Sequence, residues 1–185
     1  MTIRALLLVV AALIAAPAAL ADGGPMYSLQ GGAGIAGPYG NHYVPISTNS
    51  GDTTLLVLRH GSVWSWQSIV GSYGIPMTTI RDPGGLSRDR KSLVLQSTAY
   101  FGQPNVTTSR FLVLNTRTLR TENSFFHKGI FAFDALSPDG TRLYLTQHVD
   151  ANNASRYVVR AYDLTRDRLL PGRIAGRTQK SWVMQ

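Results

Sequence analysis

The chain has no cysteine among its 185 residues. That excludes disulfide stapling and thiol chemistry, so packing and backbone hydrogen bonds must hold any exported form together. Carboxylates are scarce, and Glu122 is the only glutamate. Lysine is scarce too, confined to Lys91, Lys128 and Lys180, so the formal charge of +8 rests on arginine. There is no glycine-rich phosphate loop, metalloprotease helix or nucleophile elbow. No window beyond the N-terminus sustains a helical period.

A basic chain favours anionic partners such as wall polymers, acidic lipids, polysaccharides or nucleic acid. High-GC coding would give the same composition with no selected partner. The expected partner is an anionic cell-wall polymer or another protein; nucleic acid is not expected, and no cofactor is.

The N-terminus has the three parts of an export signal. Arg4 and the amino terminus supply the positive region, Ala5 to Ala16 is an unbroken apolar run, and Ala19-Leu20-Ala21 offers small residues for cleavage. Pro17 ends the helical tendency. The apolar run is short of the roughly 20 residues a membrane span needs. Its flank is Asp22-Gly23-Gly24-Pro25 and not a basic stop-transfer cluster. Residues 1–21 therefore read as a cleaved signal, and the product as secreted, periplasmic or wall-associated, with no transmembrane segment after cleavage. About 164 residues remain, enough for one domain with a real core.

Residues 22–41 are rich in Gly and Pro and read as a flexible lead or irregular loop. From His42 onward, short apolar runs alternate with turn residues. They are 43–46, 55–58, 63–70, 93–95, 111–114, 130–133, 143–145 and 157–159. Runs of four to eight residues rich in β-branched and aromatic types are the strand signature. A repeat narrows the choice of fold. Leu86-Ser87-Arg88-Asp89-Arg90-Lys91-Ser92-Leu93-Val94-Leu95 matches Leu136-Ser137-Pro138-Asp139-Gly140-Thr141-Arg142-Leu143-Tyr144-Leu145. Downstream, Ser109-Arg110-Phe111-Leu112-Val113 matches Ser155-Arg156-Tyr157-Val158-Val159. A period near 40–50 residues with about four strands per unit is the propeller range. The turn Ser137-Pro138-Asp139-Gly140 ends in a residue suited to positive φ. Arg90 stands at that place in the first copy, at a cost of about 1 kcal/mol if the conformation is left-handed.

The segment Leu136 to Tyr144, followed by Tyr157 to Leu164, resembles a blade of the secreted bacterial β-propellers of the YVTN or WD40-like type. The layout is similar to exported propeller-like proteins of actinobacteria. This resemblance covers most of His42 to Arg173 and implies a fold of four-stranded antiparallel blades. It transfers no catalytic residue. The expected all-β architecture has about three blades, at 42–82, 83–133 and 134–178, with a non-repeat tail at 179–185. Closed rings usually have four to eight blades. The expectation is therefore a truncated or frame-altered remnant; the alternative is self-association through open flanks, two copies giving six blades.

Candidate chemistry is sparse. His42, His60, His127 and His148 are isolated, and no metal set is expected. Asp150-Ala151-Asn152-Asn153 reads as an Asx-rich turn, not a calcium loop. Asn105-Val106-Thr107 and Asn153-Ala154-Ser155 fit an incidental glycan acceptor pattern. Trp64 and Trp66 fall two residues apart, on one face of a strand. Their expected role is packing between sheets, and the other role is stacking on sugars or bases. Arg156, Arg160, Arg166 and Arg168, with Arg173 and Arg177, are the expected anionic-ligand surface, unless they only decorate solvated strand faces. The resulting expectation is an exported, non-catalytic binding or scaffold protein. The alternative is a propeller-class hydrolase or lactonase whose site needs missing blades or a second subunit.

Overall fold

A computed structural model describes residues 28–32, 34–78, 82–98, 108–150 and 156–174. The described residues form thirteen strands and no α-helix, and so no helix long and apolar enough to cross a membrane. The strands assemble into three antiparallel sheets. Sheet I contains β2 (Ile35–Ala36), β3 (Asn41–Ser47), β4 (Thr53–Arg59) and β5 (Ser62–Ile69), in that order. Sheet II contains β6 (Tyr73–Pro76), β7 (Ser92–Ser97), β8 (Thr108–Asn115) and β9 (Thr121–Lys128), with β1 (Ser28–Leu29) added beyond β6. Sheet III contains β10 (Ile130–Leu136), β11 (Arg142–His148), β12 (Tyr157–Asp163) and β13 (Arg168–Leu169). The chain is thus all-β, with three blade-like sheets as the repeat predicts, and none closes on itself.

Sheet II is the middle layer, and the period of two in its strands shows why. In β7, Leu93 and Leu95 face sheet I and pack with Tyr43, Leu55, Val57 and Tyr73. Val94 between them faces sheet III and packs with Phe111, Val113, Phe131, Leu143 and Leu145. A strand buried on both faces reads as a continuous apolar run rather than an alternating one. Fully burying each of these side chains is worth about 1.5–3 kcal/mol.

The sheets repeat in detail. The Ser87 and Ser137 turns are superimposable in their hydrogen bonds. In each, the serine hydroxyl bonds the aspartate two residues on, Asp89 or Asp139. The same hydroxyl accepts the N–H of the residue five positions on, Ser92 or Arg142. Arg90 does take a positive φ, 59°, beside 70° at Gly140. A second shared turn closes β8 onto β9 and β12 onto β13. Asn115 Oδ1 accepts the N–H groups of Arg117 and Thr118, and Asp163 Oδ1 those of Thr165 and Arg166.

Three expectations need correction. The Gly/Pro-rich lead is not irregular where it is described. Ser28–Leu29 and Ile35–Ala36 pair with β6 and β3, and Pro38–Gly40 forms a 3-10 turn. The sheets also divide the chain elsewhere than at 82/83 and 133/134. Tyr73–Pro76 belongs to sheet II, and β10 runs through Phe133 into Leu136. Apart from β1, sheets II and III each begin immediately after the last strand of the sheet before. Finally, the ladders shift one sequence match by a pleat. Gln96 faces Phe111 across β7 and β8, while Thr146 faces Val159 across β11 and β12. Phe111 is therefore equivalent to Val159, not to Tyr157.

Candidate functional site

Antiparallel strands place successive connections at alternate ends of a sheet. The tight turns 60–61, 87–91, 116–120, 137–141 and 164–167 share one end. They hold six basic residues (Arg88, Arg90, Lys91, Arg117, Arg120, Arg166) against three acidic ones (Asp89, Asp139, Asp167). Their counterparts at the other end hold little charge, with Asp52, Asp150 and Arg156.

At the basic end, the 3-10 turn of sheet I leans over two turns of sheet II and encloses a cleft of about 300 Å³. Tyr39 forms one wall. Arg90, Lys91 and Arg117 line it, with Asp89 and Thr116. Tyr39 is 78% exposed and holds φ 59°, and Arg90, in the same lining, also holds φ 59°. Two non-glycine residues in the left-handed region each store of order 1 kcal/mol or more, a cost that persists where surrounding contacts fix it.

Those contacts are visible. The Thr116 hydroxyl donates to the Arg90 carbonyl at 2.7 Å. Tyr43 Oη, buried in the sheet I–II core, donates to the Thr116 carbonyl at 2.8 Å. One Arg90 guanidinium nitrogen reaches the Gly37 carbonyl at 3.4 Å. The carboxylate of Asp89 is held below its ordinary pKa, first by the backbone N–H of Lys91 and next by the Ser87 hydroxyl. Its contact with Lys91 Nζ, at 3.3 Å, is exposed and so contributes little. The cleft thus carries three cations against one carboxylate, with the exposed Tyr39 ring in its lining. That arrangement suits an anionic ligand with a flat or ring-bearing face.

The sequence-predicted arginines do not converge. β12 is seven residues long, roughly 20 Å at strand rise. Arg156 precedes it and pairs with Asp150 at 3.1 Å, whereas Arg166 lies beyond its far end and pairs with Asp163 at 2.9 Å. Arg160 is turned inward, bonding Gln147 Oε1 and the Leu170 carbonyl. Arg168 is exposed on β13. Arg173 is exposed beyond β13, and Arg177 lies outside the described residues.

The tryptophan pair also departs from expectation. Trp64 and Trp66 are 67% and 63% exposed, not packed between sheets. A register shift between Val57 and Leu58 leaves Trp64 out of the ladder, while Trp66 faces Leu56. The Arg59 guanidinium lies 4.5 Å from the Trp64 ring centroid. Arg59 and Leu56 are three residues apart on β4 and so occupy opposite faces. The bulge therefore splits the two rings between the two faces.

Among the described residues, no three His, Asp or Glu side chains gather as a metal site. His127 packs among Phe125, Phe131 and Tyr162. Burial lowers its pKa, the Arg160 guanidinium lowers it further, and Asp167 opposes both. Tyr162 is pushed well above its ordinary pKa by burial and by its hydrogen bond to Asp167. The segment 151–155 and the Asn105 acceptor pattern lie outside the described residues. Set beside family models and curated proteins, the chain matches none of them.

Proposed function

We propose that this is an exported, non-catalytic binding protein that engages an anionic polymer of the cell surface through the cleft at its basic turn end. The carrying observation is the convergence of Arg90, Lys91 and Arg117 in one cleft with the exposed Tyr39 ring. Guanidinium groups match carboxylate and phosphate oxygens in a planar fork, so repeated acidic units along a polymer suit them. The N-terminal apolar run of Ala5 to Ala16, with its small-residue cleavage site, supports export. A repeat scaffold that displays loops from rigid sheets is compatible with this use, and the secreted propeller-type proteins are the kind this chain resembles.

The test is retention of the purified protein on an anionic wall polymer across a salt series, beside a hydrolase and lactonase panel. Retention should fall steeply as the Debye length shrinks from about 10 Å at 0.1 M to about 3 Å at 1 M salt. Salt-independent retention would contradict the electrostatic basis. Saturable turnover of an ester or lactone would replace this reading with the enzymatic one.

A further inference from the structure

Among the described residues, β5 and β9 are the terminal strands of sheets I and II. β5 pairs with β4 alone, and every residue before Ile69 is exposed. Val63 is 56% exposed, beside Trp64 and Trp66. β5 contains no charged residue and no proline, two common protections of an open edge. Because the bulge divides the rings between two faces, a ligand lying flat on either face meets one ring. A surface met edge-on meets both. The pattern continues on β9, where Phe126 is 64% exposed, opposite Arg110 in register and two residues from Lys128. The one acidic residue on these two strands, Glu122, is occupied by Asn115 Nδ2 at 2.8 Å. The Trp64 and Phe126 rings, each beside a basic side chain, with Trp66 and Val63 also exposed and a single carboxylate on the two strands, complement an interface that is apolar beneath and negative above.

We propose that this rim, β5 extended by Phe126 of β9, rests edge-on on a lipid surface bearing anionic headgroups. Tryptophan favours the boundary between headgroups and acyl chains, where its ring is apolar and its N–H stays hydrated. Arg59, Arg110 and Lys128 add attraction to the negative leaflet. The free N–H and C=O groups of the β5 edge then sit at headgroup depth, where water and phosphate oxygens satisfy them, and no deeper. The rim shares no residue with the cleft, so the two sites are separable.

The experiment uses the protein recovered after export, carrying Trp182→Phe so that emission reports only Trp64 and Trp66. It is titrated with vesicles of phosphatidylglycerol and phosphatidylcholine. The expected result is a blue shift of emission and reduced acrylamide quenching, with neither on phosphatidylcholine alone. Vesicle partition of this protein should fall about tenfold in Trp64→Ala/Trp66→Ala, and likewise in Val63→Asp, because apolar contact is lost. Arg90→Gly/Arg117→Ala, which alters only the cleft, should partition like the parent. Unchanged emission at saturating phosphatidylglycerol, or undiminished partition of both rim variants, would overturn the proposal. So would a shift produced by a neutral soluble polysaccharide and not by vesicles, which would assign the rings to sugar stacking.

Discussion

The hydroxyls of Thr53 and Ser109 perform the same task in successive sheets. Thr53 Oγ1 donates to the Gly71 carbonyl at 2.8 Å and accepts the Tyr73 N–H at 2.7 Å. Ser109 Oγ donates to the Gly129 carbonyl at 3.0 Å and accepts the Phe131 N–H at 2.8 Å. Each clamps the chain where it leaves one sheet and starts the next, around a glycine at φ 98° or 107°. Thr53→Val keeps the volume but leaves the buried Tyr73 N–H unsatisfied, at a cost of about 1–3 kcal/mol, and the half-buried Gly71 carbonyl without its donor. Urea denaturation should therefore show a lower midpoint with unchanged slope, and Thr53→Ser should recover most of it. A silent Thr53→Val would mean that water takes over both bonds.

Arg90 and Gly140 occupy one conformation with opposite costs. Arg90→Gly should raise stability by up to about 1 kcal/mol while weakening binding to a polyanion. Gly140→Val should lower stability by about 1 kcal/mol or more. No atom lies within 4 Å of a Cβ added at Gly140, so that loss is conformational alone. Thermal melts of both variants check the pair; a more stable Gly140→Val would show that the turn has been misassigned.

His127 makes stability depend on pH. Its pKa in the folded chain is below the unfolded value of about 6.5, so the unfolded chain binds more protons in acid. The stability is fully present above that value and is lost as pH falls through the folded pKa. His127→Gln should flatten the decline in melting temperature between neutral and mildly acidic buffer. An unchanged slope would move the titration to another group.

Most strands were legible because their apolar runs are dense, as in Leu55 to Leu58 or Phe111 to Leu114. β9 was not, since only Phe125 among its eight residues is buried and most of the others are polar, as in a loop. Gly74 and Pro76 disguised β6 in the same way. The tryptophan faces were misread because strict alternation fails at a bulge, and a bulge has no residue signature here. The cleft was illegible for a different reason. Tyr39, Arg90 and Arg117 are far apart in sequence, and only the packing of sheet I on sheet II brings their turns together. The arginine-rich segment 156–168 misled because density along the chain is not convergence in space.

Entry of an anionic ligand at the turn-end cleft is the step on which the proposed function stands. Amide shift mapping of the isotope-labelled protein, titrated with a soluble polyanionic oligosaccharide at low salt, tests it most directly. The largest changes should fall on Tyr39, Lys91 and Arg117 and vanish in Arg90→Gly/Arg117→Ala. Changes centred on Arg156 to Arg168, or spread evenly over every exposed arginine, would contradict entry at the cleft.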